Sequence, residues 1–221
     1  MKKHIVCFGD SNTHGYCADP NDTADHTDRF TEDERWTCLL QKALGEDYLV
    51  LEEGLSGRTT VFRDPLHECM SGLDVIYSTL MSHEPVDLLI IMLGTNDCKT
   101  RYKASASVIA KGLDQVIRKA RQNASRHFDL LVISPIHLGV GVGDADFDPE
   151  FDAASVAVSR NLANEYRKIA LQNHAAFLNA SDFAAPSVTD REHMDEKGHA
   201  ALADAIYNKI LALQKGLSHV I

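Results

Sequence analysis

No stretch of this chain approaches the about 18 consecutive apolar residues that a membrane-spanning helix needs. Positive charge is also in short supply: 22 Lys and Arg stand against 32 Asp and Glu, a formal charge of −10 over 221 residues. Nucleic-acid phosphates and anionic membrane surfaces both require a basic face, so neither is expected as a partner. Cysteine is sparse and scattered. Cys7, Cys17, Cys38, Cys69 and Cys98 are odd in number and form no C-x-x-C pair, which fits reduced thiols better than a disulfide framework or a zinc site. There is no internal repeat, linker or low-complexity segment, and the length suits one domain over residues 1–221. The apolar run behind Lys2 and Lys3 stops at Gly9-Asp10. That is too short for a signal-peptide core, so the chain reads as cytoplasmic.

What is present alternates. His4–Phe8, Tyr48–Leu51, Asp87–Leu93, Asp129–Ile133 and Ala176–Asn179 read as strands, and the third is a continuous apolar run of the kind buried on both sheet faces. Between them lie helical patterns: Trp36, Leu39, Leu40, Ala43 and Leu44 up to Gly45; Leu73, Val75, Ile76, Leu80 and Met81 up to Pro85; Val108, Ile109, Leu113, Val116 and Ile117; about Ser155 to Asn173; and a last helix through Leu213. Strands alternating with helices predict an α/β fold with a parallel sheet covered on both sides. Two loops stand out. The acidic insert over 19–34 has no regular ligand spacing and reads as a solvated loop rather than a metal site. In the 138–152 loop, Asp144-Ala145-Asp146-Phe147-Asp148 hints at calcium, but Pro149 stands where glycine is needed and Ser155 where glutamate is. Neither metal nor cofactor is expected.

Four polar clusters fall at or after the carboxyl ends of strands, the edge where open α/β sheets hold their ligands. They are Ser11, the Gly54–Gly57 loop, Asn96, and Asp190 with His193. Taken alone, Ser11 could cap a helix, or its loop could hold an anion on backbone N–H groups. Taken together, the clusters supply each part of serine acyl transfer: Ser11 as nucleophile, His193 as base, Asp190 to orient it, and the N–H groups of Ser11 and Gly57 with the Asn96 amide as oxyanion donors.

At these residues the chain resembles the SGNH (GDSL-type) serine hydrolases. Gly9-Asp10-Ser11, Gly54-Leu55-Ser56-Gly57, Gly94-Thr95-Asn96-Asp97 and Asp190-x-x-His193 are similar to four of that family's ordered blocks. Arg35-Trp36, Glu52–Ser56 with Arg58-Thr59-Thr60, and Ile90–Asp97 resemble its bacterial arylesterase and acyltransferase branch. The resemblance implies a flavodoxin-like three-layer α/β/α sandwich on a five-stranded parallel sheet. It also implies hydrolysis of short-acyl esters, some acyl transfer, and a homo-oligomer whose subunits help enclose the site. Gly57 stands where the acyltransferase member carries alanine, which argues against strong transferase behaviour.

Several residues have milder readings. His199 shares a helical face with Leu202, Ala203, Ile206 and Ile210, so it is expected to pack inward, with Asp195 as the N-cap. His14 and Tyr16 fit the pocket lining or a packed first turn equally well. Cys98 has no histidine near it in sequence. Asp97 is read as a loop fastener, Ser56 as bonding its own turn, and Ser134-Pro135 as the end of a strand. Two alternatives to the esterase remain: a carbohydrate O-deacetylase using the same groups, and a non-catalytic module that binds a small anion.

Overall fold

The computed structural model describes residues 2–19, 21, 24, 28–122 and 124–215. Part of the acidic insert, including Asp22, Asp25 and His26, lies outside the described residues. Strand β1 (Lys3–Gly9) leads into a single helical turn, α1 (Ser11–His14). Then come α2 (Trp36–Leu44), β2 (Tyr48–Gly54), α3 (Gly72–His83), β3 (Leu88–Met92), α4 (Ala106–Gln122), β4 (Asp129–Ser134), α5 (Ala153–Gln172), β5 (Ala176–Asn179) and α6 (Glu196–Gln214). The five strands are parallel, in the order β2-β1-β3-β4-β5. This is the flavodoxin-like order, in which the chain winds outward in both directions from the gap between β1 and β3.

Strand residues alternate between two cores because successive side chains point to opposite faces. Val6, Phe8, Leu89, Ile91, Leu130 and Val132 pack with α3, α4 and α5. Ile5, Cys7, Leu88, Ile90, Met92, Leu131 and Ile133 pack with α2 and α6. Register levels the active edge: Gly9 pairs with Gly54 on one side and Met92 on the other. The loops after β1, β2 and β3 therefore open side by side.

The sequence pattern differs from the structure in a few places. β2 runs three residues beyond Leu51. It is an edge strand whose residues are all only partly buried, so Glu52 and Glu53 can continue it without being sealed in an apolar core. Glu52 accepts two bonds from Arg35, at 3.0 Å each, and one from Thr37 Oγ1 at 2.5 Å; Glu53 meets His83 Nε2 at 2.6 Å. Helix α5 starts at Ala153, two residues early, because Asp152 caps it: Asp152 Oδ1 accepts from Ser155 N at 2.8 Å while Asp152 N donates to Ser155 Oγ. Ala43, Met81 and Val108, all members of the helical patterns, are exposed, since each helix buries a narrower stripe than its apolar content suggests. Among the described residues no helix is long and apolar enough to cross a membrane.

Candidate active site

The nucleophile candidate is placed by the end of β1. Asp10 caps α1, its Oδ1 accepting from Asn12 N at 3.1 Å, and Ser11 is the first residue of the turn. A first-turn N–H has no intrahelical partner, so that of Ser11 is directed outward. Gly9 serves here by close approach rather than by an unusual turn: a Cβ would lie 2.0 Å from Thr13 Oγ1 and 2.8 Å from the Met92 carbonyl oxygen. Asn12 then ties the turn to distant segments. Its carbonyl accepts from Trp36 Nε1 at 3.1 Å, and its Oδ1 accepts from Met194 N at 3.0 Å.

That last bond seats the 187–194 segment against Ser11. His193 Nε2 lies 2.8 Å from Ser11 Oγ, and His193 Nδ1 is hydrogen-bonded to Asp190 Oδ2. The second oxygen of Asp190 holds its own loop, accepting from Glu192 N and His193 N and from Ser187 Oγ, at 3.0 Å each. One carboxylate thus fixes both the ring and the backbone that carries it. Burial would raise the Asp190 pKa, but the bond and charge of His193 hold it below the ordinary value. Burial disfavours the imidazolium, yet the Asp190 bond and the charges of Glu192 and Asp190 lift His193 above its ordinary value. The Tyr16 ring covers the imidazole, with centroids 4.6 Å apart.

The remaining two candidates sit on adjoining loops. Asn96, at the start of a 3-10 turn after β3, is buried and donates from Nδ2 to the Arg58 carbonyl at 3.1 Å. This bond uses one of the two amide protons. Gly57 has φ +87°, a left-handed conformation that favours glycine, and no acceptor among the described residues takes its N–H. Asp97 straps the two loops together, both oxygens accepting from Thr60 N at 3.0 Å, as expected of a fastener. Burial raises its pKa to about 6. Arg58 locks the same loop from below, donating to the Gly9 carbonyl at 3.0 Å and lying 4.3 Å over the Phe8 ring.

All five expected site residues therefore converge on one edge of the sheet, and the decoys do not join them. His199 is fully buried under Phe30, with Nδ1 accepting from Trp36 N at 3.4 Å; Asp195 caps α6. Cys98 is buried, its thiol pushed well up by burial and donating to the Gly94 carbonyl. Most carboxylates of the 138–152 loop are engaged by protein groups: Asp144 Oδ2 lies 3.2 Å from Arg191 Nη1, Asp148 Oδ1 accepts from Glu150 N, and Glu150 pairs with Lys99 and Arg101. Ser187, Asn12 and Glu192 were not singled out as site residues from the sequence. Only the three-residue spacing of Ser187 before Asp190, typical of a hydroxyl-closed turn, could have pointed to one of them.

A family model described as GDSL-like Lipase/Acylhydrolase matches residues 7–201. Among solved structures, Est24, a carbohydrate acetylesterase from Sinorhizobium meliloti, is 30% identical with a TM-score of 0.85, over 96% of this chain and 100% of that one. The inhibitor-bound aryl esterase of M. smegmatis is 31% identical with a TM-score of 0.85, over 96% and 99%. A further solved chain reaches 37% identity and a TM-score of 0.91, over 99% and 100%. No curated protein sequence matches.

Proposed function

Since this chain belongs to the GDSL-like lipase/acylhydrolase family and is a carboxylic ester hydrolase, we propose that it cleaves short-acyl esters through an acyl-enzyme on Ser11. His193 Nε2 takes the Ser11 Oγ proton as Oγ adds to the ester carbonyl carbon. Negative charge then develops on the carbonyl oxygen, where the Ser11 and Gly57 N–H groups and the free Asn96 amide proton receive it. Collapse breaks the bond to the alcohol, which leaves with the proton from Nε2. Water repeats the sequence on the acyl-enzyme and restores Oγ–H. Asp190 holds the imidazole in the tautomer with the proton on Nδ1 and favours the imidazolium once it forms.

The observation that carries this reading is the serine–imidazole–carboxylate chain, with 2.8 Å between Ser11 Oγ and His193 Nε2. The carbohydrate acetylesterase among its relatives supports a small acyl group. A second reading, sugar acetates as substrates, is favoured by the polar surroundings of His193, where the carboxyl groups of Asp148 and Glu192 are neighbours. The exposed apolar residues Val140 and Val188, on the 138–152 loop and the loop carrying Asp190, favour a homo-oligomer in which a second copy covers this face. A panel of nitrophenyl esters of rising acyl length beside acetylated sugars tests the proposal. Highest kcat/KM on acetyl or propionyl esters supports it, and preference for octanoyl or longer chains overturns it.

A further inference from the structure

Glu192 is a buried carboxyl that the triad does not use. It is 7% exposed, lies between the two triad residues of its loop, and places Oε1 3.9 Å from His193 Nε2. That is too long for a hydrogen bond between them and suits a small molecule held by both. Nε2 is also the atom that bonds Ser11 Oγ and so must activate whatever attacks the acyl-enzyme. A water oxygen about 2.8 Å from each acceptor would see them about 90° apart, close to the angle between its own two O–H bonds. An alcohol has one proton. If it gives that proton to Nε2, it has none for Glu192, and its carbon substituent abuts a carboxylate.

We propose that Glu192 is the second acceptor for the water that resolves the acyl-enzyme and thereby favours hydrolysis over acyl transfer to alcohols. This rests on the acyl-enzyme reading above. In the step, the water oxygen bonds to the acyl carbon, one water proton passes to Nε2, and the other stays on the oxygen, hydrogen-bonded to Glu192. The C–Oγ bond then breaks and Oγ regains the proton from Nε2, releasing the carboxylic acid. Atoms and charge balance with no other reactant. Burial, reinforced by the negative charges of Asp148 and Asp190, raises the Glu192 pKa to about 7, with His193 and Lys99 opposing. In either protonation state the group keeps an acceptor oxygen.

The test is the partition of the acyl group between water and methanol, measured with acetyl esters of two different leaving groups. In the wild type, one common ratio for both esters marks a shared acyl-enzyme; ratios that follow the leaving group would overturn the acyl-enzyme reading itself. Glu192→Leu should raise the methyl ester to acetate ratio about tenfold and slow deacylation by a similar factor, while the pre-steady-state release of the first alcohol is little changed. Glu192→Gln keeps an acceptor oxygen at the same place and should stay within about threefold of the wild-type ratio. A common wild-type ratio that Glu192→Leu leaves unchanged overturns this inference alone. So does an equal fall of acylation and deacylation, which would mean that Glu192 acts on the imidazole rather than on water. Matching far-UV circular dichroism and melting temperatures keep misfolding out of the comparison.

Discussion

His199 offers the sharpest separation of a packed histidine from a working one. It is fully buried, and burial, with the nearby charges of His193 and Arg35 adding, lowers its pKa from the ordinary 6.5 to about 3. The sign follows directly. Below pH 6.5 the unfolded chain takes up a proton at this position that the native protein refuses, so stability falls as pH drops through that window. From pH 6.5 to 5 the interval is about 1.5 pH units at about 1.4 kcal/mol each, a loss of about 2 kcal/mol from this residue. His199→Asn cannot titrate there, yet it can place an oxygen near the position of Nδ1 to accept the Trp36 N–H. Urea unfolding of both proteins at pH 7.5, 6 and 5 reads the effect. The variant should be less stable by about 1–3 kcal/mol at pH 7.5, and this gap should shrink by about 2 kcal/mol at pH 5. Asp10, Asp97 and Glu192, whose raised pKa values fall in or near the same range, are present in both proteins and cancel in the difference. A gap that stays constant across this range refutes the reasoning. The turnover rate per folded molecule should not change.

Asp190→Asn keeps an oxygen for the three loop donors but cannot favour the working tautomer, so kcat should fall on the order of 10⁴-fold while the melting temperature moves little. Asn96→Ala removes a donor that matters most once the oxyanion has formed. It should lower kcat by about 10²–10³ with little change in KM, as steady-state kinetics on nitrophenyl acetate will read. His193→Ala, Ser11→Ala and the double variant should lose similar amounts of activity, because members of one triad act as a unit; additive losses would separate them.

The fold was legible where burial is simple. β1, β3 and β4 are continuous apolar runs because both faces of the sheet are covered. The edge strand β2 was readable only as far as Leu51, since it continues through two carboxylates, Glu52 and Glu53, whose partners Arg35 and His83 lie outside the strand. That His193 and not His199 would lie beside Ser11 was also readable, because helical spacing put His199 on an apolar face while His193 precedes the helix. The supports of the site were not. Asn12 Oδ1 meeting Met194 N spans 182 residues, and the Asn96 bond to the Arg58 carbonyl spans 38. Such contacts are made by the chain crossovers and carry no local pattern. Glu192 was hidden for another reason. A glutamate in a turn normally reads as solvated, and only the packed structure shows it buried beside the imidazole.

The central claim is that Ser11 Oγ is the atom that carries the acyl group. Treating the protein with an aryl organophosphate and mapping the adduct by peptide mass spectrometry tests this most directly. One phosphoryl group per chain is expected, on Ser11, with activity lost in step with labelling and no label on Ser11→Ala. Full labelling with the adduct on another residue, or full activity in a protein quantitatively modified at Ser11, would contradict it.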